Sequence, residues 1–333
     1  MTRKKSKRLK FNIKKQQVMN NNQPQAIYEN PNPGVREIVK RNWKFLLLLI
    51  AITIGVYANS LPGQFSIVDD IPGIITSGRY DNLIENLKTF HIQSVIYSLL
   101  LNSFGDNPLV FHIFSLSMQL MLVVMAFILI RLLWDQRIAQ IAAVIFATHP
   151  VNTESVTWIS GSTYLINGMF LLPAMISYLV FKKGQKEIYL IVSIIIYTLA
   201  LILTRTPWVL TLPIALVIID QFIWEKKFNW RSLINQIYYF VPSILYILFF
   251  LRQAGAARLA SRESGSYLNQ QTLPRLQSYV FTIFSMLRLY IFPKDLKIYY
   301  DGNVITNSDL IIMAVISLTF GFLIYFLILL SFL

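Results

Sequence analysis

Apolar residues in this chain gather into long runs separated by short polar turns. A helix needs ~20 apolar residues to cross a hydrocarbon core. Apolar runs fall at residues 43–58, 109–134, 138–148, 164–181, 188–203, 207–224, 238–251 and 310–333, that at 138–148 being short, with a marginal one at 277–292. Trp43 and Tyr57 flank the first run at interfacial positions, where aromatic side chains prefer to sit. Residues 81–104 read differently. Leu83, Ile84, Leu87, Phe90, Val95, Leu99 and Leu100 recur at helical spacing among polar neighbours, which predicts a helix lying in the interface rather than crossing it. The pattern therefore predicts an all-α, polytopic transmembrane helical bundle of about 8–10 spans, with an interfacial helix in its first outer loop.

Composition agrees with the pattern. The chain of 333 residues is 55% hydrophobic and 14% charged, with a mean hydropathy of +0.53, whereas soluble domains carry roughly 25% charged residues. It contains no Cys, which excludes disulfides, thiolate zinc sites, iron–sulfur clusters and thiol nucleophiles together. Its three histidines, His91, His112 and His149, make a multi-histidine metal site an unpromising reading.

The net charge of +14 is concentrated near the start. Residues 1–44 hold twelve Lys and Arg against Glu29 and Glu37, and their polar middle has nothing to bury. This predicts a disordered basic tail over 1–42, ahead of a transmembrane domain over 43–333. A basic segment beside the first span is read as a cytoplasmic anchor touching anionic lipids, with no nucleic-acid partner expected. The tail is too long, and lacks the cleavage site, for a secretory signal. Residues 131–137, 182–187 and 225–231 are net basic, while the first outer loop holds Asp69, Asp70, Asp81, Glu85 and Asp106. The expected orientation puts these basic loops inside and the acids outside. Arg252, Arg258, Arg262 and Arg275 break that rule. They fit if residues 277–292, which reach only ~24 Å as a helix, dip in from the outer face and return at Pro293. The chain stops within an apolar run at Leu333, so a truncated C-terminus is expected.

Candidate chemistry lies in the outer loops. Asp69 and Asp70 are adjacent, bracketed by Pro62-Gly63 and Pro72-Gly73, pairs that favour turns. His149-Pro-Val-Asn-Thr-Glu-Ser-Val-Thr-Trp-Ile-Ser-Gly161 joins the third span to the fourth, and Arg205 sits between the fifth and sixth. Carboxylates serve as general bases or divalent-ion ligands, and guanidinium forks suit phosphate oxygens. Singly, each residue also has a plain structural reading. The acids suit a solvated loop, His149 a helix cap and Arg205 a snorkelling side chain. Together they suit group transfer from a lipid-linked phosphate.

Three stretches carry a resemblance. They are the pair Asp69-Asp70, the segment Phe104-Gly-Asp-Asn-Pro-Leu-Val-Phe-His112, and Phe146-Ala-Thr-His-Pro-Val-Asn-Thr-Glu-Ser-Val-Thr-Trp-Ile-Ser-Gly161. Thr211-Leu-Pro213 with Asp220, and Tyr290-Ile-Phe-Pro293, agree more weakly. Over roughly residues 43–300 the chain resembles GT-C type glycosyltransferases. The likeness is nearest to the membrane region of the transmembrane-and-tetratricopeptide-repeat O-mannosyltransferases and their bacterial relatives, and more distant to the dolichyl-phosphate-mannose protein mannosyltransferases. It departs from them at Gln119, Asn152, Ser162-Thr-Tyr164 and Arg205-Thr206, where the family tends to place His, His, a basic–acidic pair and Lys-Glu.

The resemblance implies a bacterial plasma-membrane enzyme moving a hexose, such as mannose, from a polyprenyl-phosphate donor to a hydroxyl of a protein or glycan. Asp69 or Asp70 would act as the base. Arg205, Arg252 or Arg258 would hold phosphate, and His149 and Glu154 would bind sugar or acceptor hydroxyls. Two acids leave room for a divalent cation, but no metal or other cofactor is obligatory. A non-catalytic transporter or a scaffold subunit of envelope glycan assembly is the alternative, and an inactive relative is a third.

Overall fold

The computed structural model describes residues 34–184, 186–224 and 233–251, with residues 286, 289, 290 and 293. The tail over 1–33, the basic loop at 225–231, Arg252, Arg258, the final run and most of residues 277–292 lie outside the described residues. Among those described there is no strand, and ten α-helices follow one another. They are α1 (Val35–Tyr57), α2 (Leu83–Lys88), α3 (Ile92–Phe104), α4 (Pro108–Leu133), α5 (Gln136–Thr148), α6 (Thr153–Thr157), α7 (Ser162–Lys182), α8 (Ile188–Thr204), α9 (Leu212–Ile218) and α10 (Ile234–Tyr246). Three helical segments, Val35–Ser60, Pro108–Leu133 and Ser162–Lys182, are long and apolar enough to cross a membrane. The protein is an all-α helical membrane protein.

Two expectations shift. The first helix begins at Val35 rather than residue 43. Its early turns are charged but helical, with Glu37 and Arg41 paired at 3.3 Å across one turn, a spacing that supports helices. Ile38, Asn42, Leu46, Leu49, Thr53 and Tyr57 then form one buried stripe at steps of three or four. The single helix expected over 81–104 is two, α2 and α3, because Phe90 takes a left-handed φ of 53° between them.

Lipid-facing helices invert the soluble pattern, with small residues inward and bulky ones outward. Helix α5 shows this plainly. Ala139, Ala143 and Ala147 are fully buried while Ile138, Ile141 and Ile145 are exposed, so α5 packs closely on α1 and α4. Gly168 of α7 does similar work against α4, since a Cβ there would stand 2.9 Å from a Leu122 methyl. The run expected at 207–224 is three pieces, a 3₁₀ turn (Pro207–Thr211), α9 and a π-type turn (Ile219–Trp224).

That π-type turn holds a fully buried Asp220. Its Oδ2 accepts from the Tyr178 hydroxyl at 2.5 Å and the Gln236 amide at 2.5 Å, and Lys182 Nζ lies 3.4 Å away. Nearby, the Tyr239 hydroxyl donates to Ser193, which donates to the Ala174 carbonyl, and Tyr197 pairs with Ser243. These contacts join α7, α8 and α10 at the end of α7 opposite to Ser162. Removing one partner of a buried pair leaves an uncompensated charge. Asp220→Ala should therefore cost about 3–5 kcal/mol, read as early unfolding in a denaturant titration. The double variant Asp220→Ala, Lys182→Met should recover only part of the loss, since the Tyr178 hydroxyl and the Gln236 amide still lack that acceptor.

Candidate functional site

The other end of the bundle gathers the first loop, residues 149–161 and the turn after α8. The first loop turns tightly. Ile71 N–H donates to the Ser66 carbonyl at 2.9 Å, and Gly73 N–H donates to that of Asp69 at 2.8 Å. An aromatic cluster of Phe65, Tyr80, Tyr97 and Phe111, with Ile74 and Ile159, seats this loop on α3 and α4. Successive ring pairs lie 5.4–5.6 Å apart in edge-on geometry, the arrangement aromatic quadrupoles favour. The Tyr97 hydroxyl reaches on to the Ile159 carbonyl at 2.6 Å and to Ser162 Oγ at 2.8 Å. Ser98 Oγ donates to the Tyr80 carbonyl at 2.7 Å.

Asp70 closes the assembly. Only 1% exposed, it accepts from Ser66 N–H at 2.9 Å on Oδ2, and on Oδ1 from Ser160 N–H at 2.9 Å and Ser160 Oγ at 2.5 Å. One carboxylate thus ties together two loops separated by 90 residues. Hydrogen bonds to an ionised carboxylate are stronger than neutral ones, so this clamp is the firmest link between the loops. Asp69, one residue earlier, is half-buried beside Ile67, which is 83% exposed. The neighbouring acids therefore have different surroundings, Asp70 enclosed and Asp69 half-buried.

The 149–161 segment is itself closely folded. His149 Nδ1 accepts from Val151 N–H at 3.2 Å, which leaves the hydrogen on Nε2, 2.9 Å from the Tyr290 carbonyl. His149 thus caps the turn after α5. The Asn152 amide donates to the Phe146 carbonyl at 2.6 Å. Glu154 stands exposed on α6, and partial burial raises its pKa above the ordinary carboxylate value. Gly161 is required here, because a Cβ would lie 2.6 Å from the Glu154 carbonyl and 3.1 Å from that of Trp158.

Arg205 stands in a separate cleft of about 590 Å³, with Arg79, Asn82, Glu85, His91 and Ser94 among its walls. Helix α8 ends on Arg205 in the left-handed region, φ 54°, where glycine is the usual residue. Its guanidinium donates to the Thr89 carbonyl, and Thr206 next to it donates to Asn167 at 2.8 Å. His91 Nδ1 pairs with Ser94 Oγ at 2.8 Å. Burial lowers the His91 pKa, and the charges of Arg79 and then Arg205 lower it further. The cleft and the clamp are successive along α3. His91 and Ser94 face the cleft and Tyr97 braces the clamp loop, about 9 Å along the helix axis from His91.

The structure therefore joins Asp70 directly to the 149–161 loop and keeps Asp69 beside it. It puts Arg205 in a neighbouring cleft with Arg79 and His91, two residues the sequence reading did not select. Their signal was present, as a guanidinium and an imidazole within the polar face of 79–94, but nothing local paired them with Arg205. Arg252 and Arg258, assigned to phosphate on sequence grounds, lie outside the described residues. Among the described residues no group of three His, Asp or Glu side chains is placed to hold a metal ion.

With this geometry in hand, comparison with known proteins points to one class, the protein O-mannosyl-transferases. The chain is 26% identical over 176 residues to Protein O-mannosyl-transferase TMTC3 of Mus musculus, a match covering 44% of this chain and 18% of the relative. It is 24% identical over 166 residues to the Homo sapiens protein of the same name, covering 41% of this chain and 17% of that one. The chain thus spans under a fifth of the length of these relatives. No family model matches it, and no solved structure does.

The cleft's charge makes a pH test direct. An anion between Arg79 and Arg205 favours the protonated form of His91, whose pKa burial and these two charges lower from 6.5. Sulfate, an anion that does not titrate in this range, should therefore bind the cleft more tightly as pH falls from neutral through that range. His91→Gln should flatten the dependence, and Arg205→Ala should weaken binding at every pH.

Proposed function

We propose that this chain is the membrane part of a glycosyltransferase that moves a sugar from a polyprenyl-phosphate donor to an acceptor hydroxyl at the outer face of the membrane. One observation carries the reading. Asp70 is clamped by Ser66 and Ser160, so the acid pair is held against the His-Pro loop with Asp69 half-buried at its edge. The likeness to protein O-mannosyl-transferases supports sugar transfer, with mannose the leading donor sugar and a protein hydroxyl the leading acceptor.

The roles follow from burial and bonding. Asp70 spends both oxygens on protein donors, which suits a positioning residue. Asp69, half-exposed, is the base. It takes the proton of the acceptor hydroxyl as that oxygen forms a bond to the anomeric carbon from the face opposite the phosphate. The carbon–oxygen bond to phosphate breaks, and phosphate leaves with the electron pair. Arg205, with Arg79 and His91, receives that negative charge in the cleft, and guanidinium groups suit it because they bind phosphate bidentately. Glu154, exposed on α6, and the His149 loop border the acceptor side. No metal is needed for these steps. Exposed Ile84, Leu87 and Phe90 on and after α2 suit a helix bedded in the outer leaflet, which would bring the cleft to head-group level.

Loss of a positioned base typically costs ~10²–10⁴-fold in rate. Asp69→Asn should therefore lower sugar transfer by about that factor in membranes supplied with polyprenyl-phosphate mannose, with membrane insertion unchanged. Transfer within a few-fold of wild type would refute the assignment of Asp69.

Orientation has its own test, made simple by a chain without Cys. Ile67→Cys should label from outside intact cells, and Gly184→Cys only after permeabilisation. The reverse pattern would put the acid pair in the cytoplasm and end the outer-face reading.

A further inference from the structure

Among the described residues two that are not glycine take a left-handed φ, Phe90 at 53° and Arg205 at 54°. Both belong to the cleft. Phe90 lies between the wall residues Thr89 and His91, and the Arg205 guanidinium donates to the Thr89 carbonyl. An arginine side chain offers none of the local hydrogen bonds that let Asn or Asp tolerate this backbone. The conformation is therefore imposed on Arg205 by its neighbours, and it decides where the guanidinium points.

The neighbours can be followed bond by bond. Upstream, the buried Thr204 donates its hydroxyl to the Ala200 carbonyl at 2.8 Å, which closes the last turn of α8. Downstream, Thr206 precedes Pro207 and is held extended, at φ −105° and ψ 131°, as residues before proline are. It cannot rejoin the helix, and its hydroxyl becomes the handle of the turn. That hydroxyl lies 2.9 Å from Thr204 Oγ1 and donates to Asn167 Oδ1 at 2.8 Å. The contacts with Ala200 and Thr204 stay within α8 and its own turn. Asn167 stands on α7, 39 residues away in sequence and only 4% exposed. Its Nδ2 has no hydrogen-bond partner in the protein. A buried amide with an idle donor costs stability, so packing does not account for Asn167. Its bond to Thr206 does.

We propose that Asn167 is a positioning residue for Arg205: by holding the Thr206 hydroxyl it fixes the left-handed turn that aims the guanidinium into the cleft shared with Arg79 and His91. Without that bond, residue 205 relaxes to an ordinary negative φ, a change of roughly 120°. With α8 fixed, such a rotation about N–Cα carries Cβ, and the guanidinium with it, away from Thr89 and the cleft. The use of this placement rests on the anion-binding role given to the cleft above. The placement itself does not.

Two readouts test it, and neither needs sugar transfer. Sulfate affinity reports the paired guanidinium groups. The His91 titration reports Arg205 without any anion, because the charges of Arg79 and Arg205 both lower the His91 pKa and moving Arg205 away raises the midpoint. Arg79 and Glu85, the other charged wall residues, are untouched in every variant. Midpoints are read from ¹⁵N-histidine signals of the full-length protein in lipid bilayers, with His91→Gln identifying the resonance. Asn167→Leu should weaken sulfate binding several-fold and raise the His91 midpoint towards that of Arg205→Ala. Its stability should stay close to wild type, since the change removes an idle buried donor along with one bond. Thr206→Val should match Asn167→Leu, and the double variant should do no more than either. Thr206→Ser keeps the hydroxyl and should behave as wild type. Wild-type His91 midpoints in both Asn167→Leu and Thr206→Val overturn the proposal, as does undiminished sulfate affinity in both. If Asn167→Leu fails to fold, Thr206→Val against Thr206→Ser decides. A wild-type cleft that takes up no sulfate would refute the anion-binding role and leave the His91 midpoints to decide the placement.

Discussion

The Asp70 carboxylate is the constraint on which the acid-pair end depends. Two loops 90 residues apart in sequence meet through the Ser160 N–H and hydroxyl on Oδ1, while Ser66 of its own loop holds Oδ2, in a place almost closed to solvent. A surface ion pair would be weakened by water and salt. A buried carboxylate with matched N–H and O–H donors is weakened far less, because the surrounding dielectric is low. Tyr97 braces the same junction from α3 by bonding Ile159 and Ser162. Asp69 inherits its place from this arrangement, since a residue next to a clamped neighbour has little backbone freedom left.

The bundle below is built on a different rule. Between apolar helices in lipid, close approach and hydrogen bonding take over from the hydrophobic effect. The alanine stripe of α5 and the glycine of α7 permit close approach. The Asp220 network and the Tyr–Ser pairs of α7, α8 and α10 supply the hydrogen bonds. Polar groups are thus concentrated towards opposite ends of the bundle and serve different purposes. About 24 Å of helix separates Ser162 from Tyr178 along α7. That distance keeps the Asp220 network out of the acid-pair chemistry, although Asp220 belongs to the weaker part of the family resemblance.

Much of the fold was legible because run length and period report burial directly. The spans at 109–134, 164–181 and 188–203 match α4, α7 and α8 to within two residues. The start of α1 was not legible, because a charged, paired helical turn reads as tail when only apolar length is counted. The break at Phe90 was hidden as well, since a left-handed φ at an aromatic residue has no marker in sequence. At the site, the acid pair stood out by its turn-forming brackets, but nothing distinguished Asp69 from Asp70. Their difference arises from Ser160, a contact made only in three dimensions. His112 was noticed as part of a motif, and its burial against Gly63 shows only in the folded chain.

Arg205 shows how local strain at a helix end is absorbed. A non-glycine residue in the left-handed region costs roughly 1–2 kcal/mol, and helix α8 ends on one. Hydrogen bonds on either side hold the strain. Thr204 and Thr206 pair their hydroxyls at 2.9 Å, Thr206 bonds Asn167, and the guanidinium bonds the Thr89 carbonyl. Those contacts point the side chain across the turn towards α2 and α3. An extended or helical backbone at residue 205 would aim it elsewhere. Strained conformations persist where surrounding structure over-determines them, and they concentrate at functional sites. The backbone that strains α8 is thus the one that brings Arg205 into the same cleft as Arg79 and His91. Thr206, whose hydroxyl fixes the turn, adds no negative charge to the cleft that Arg79 and Arg205 line.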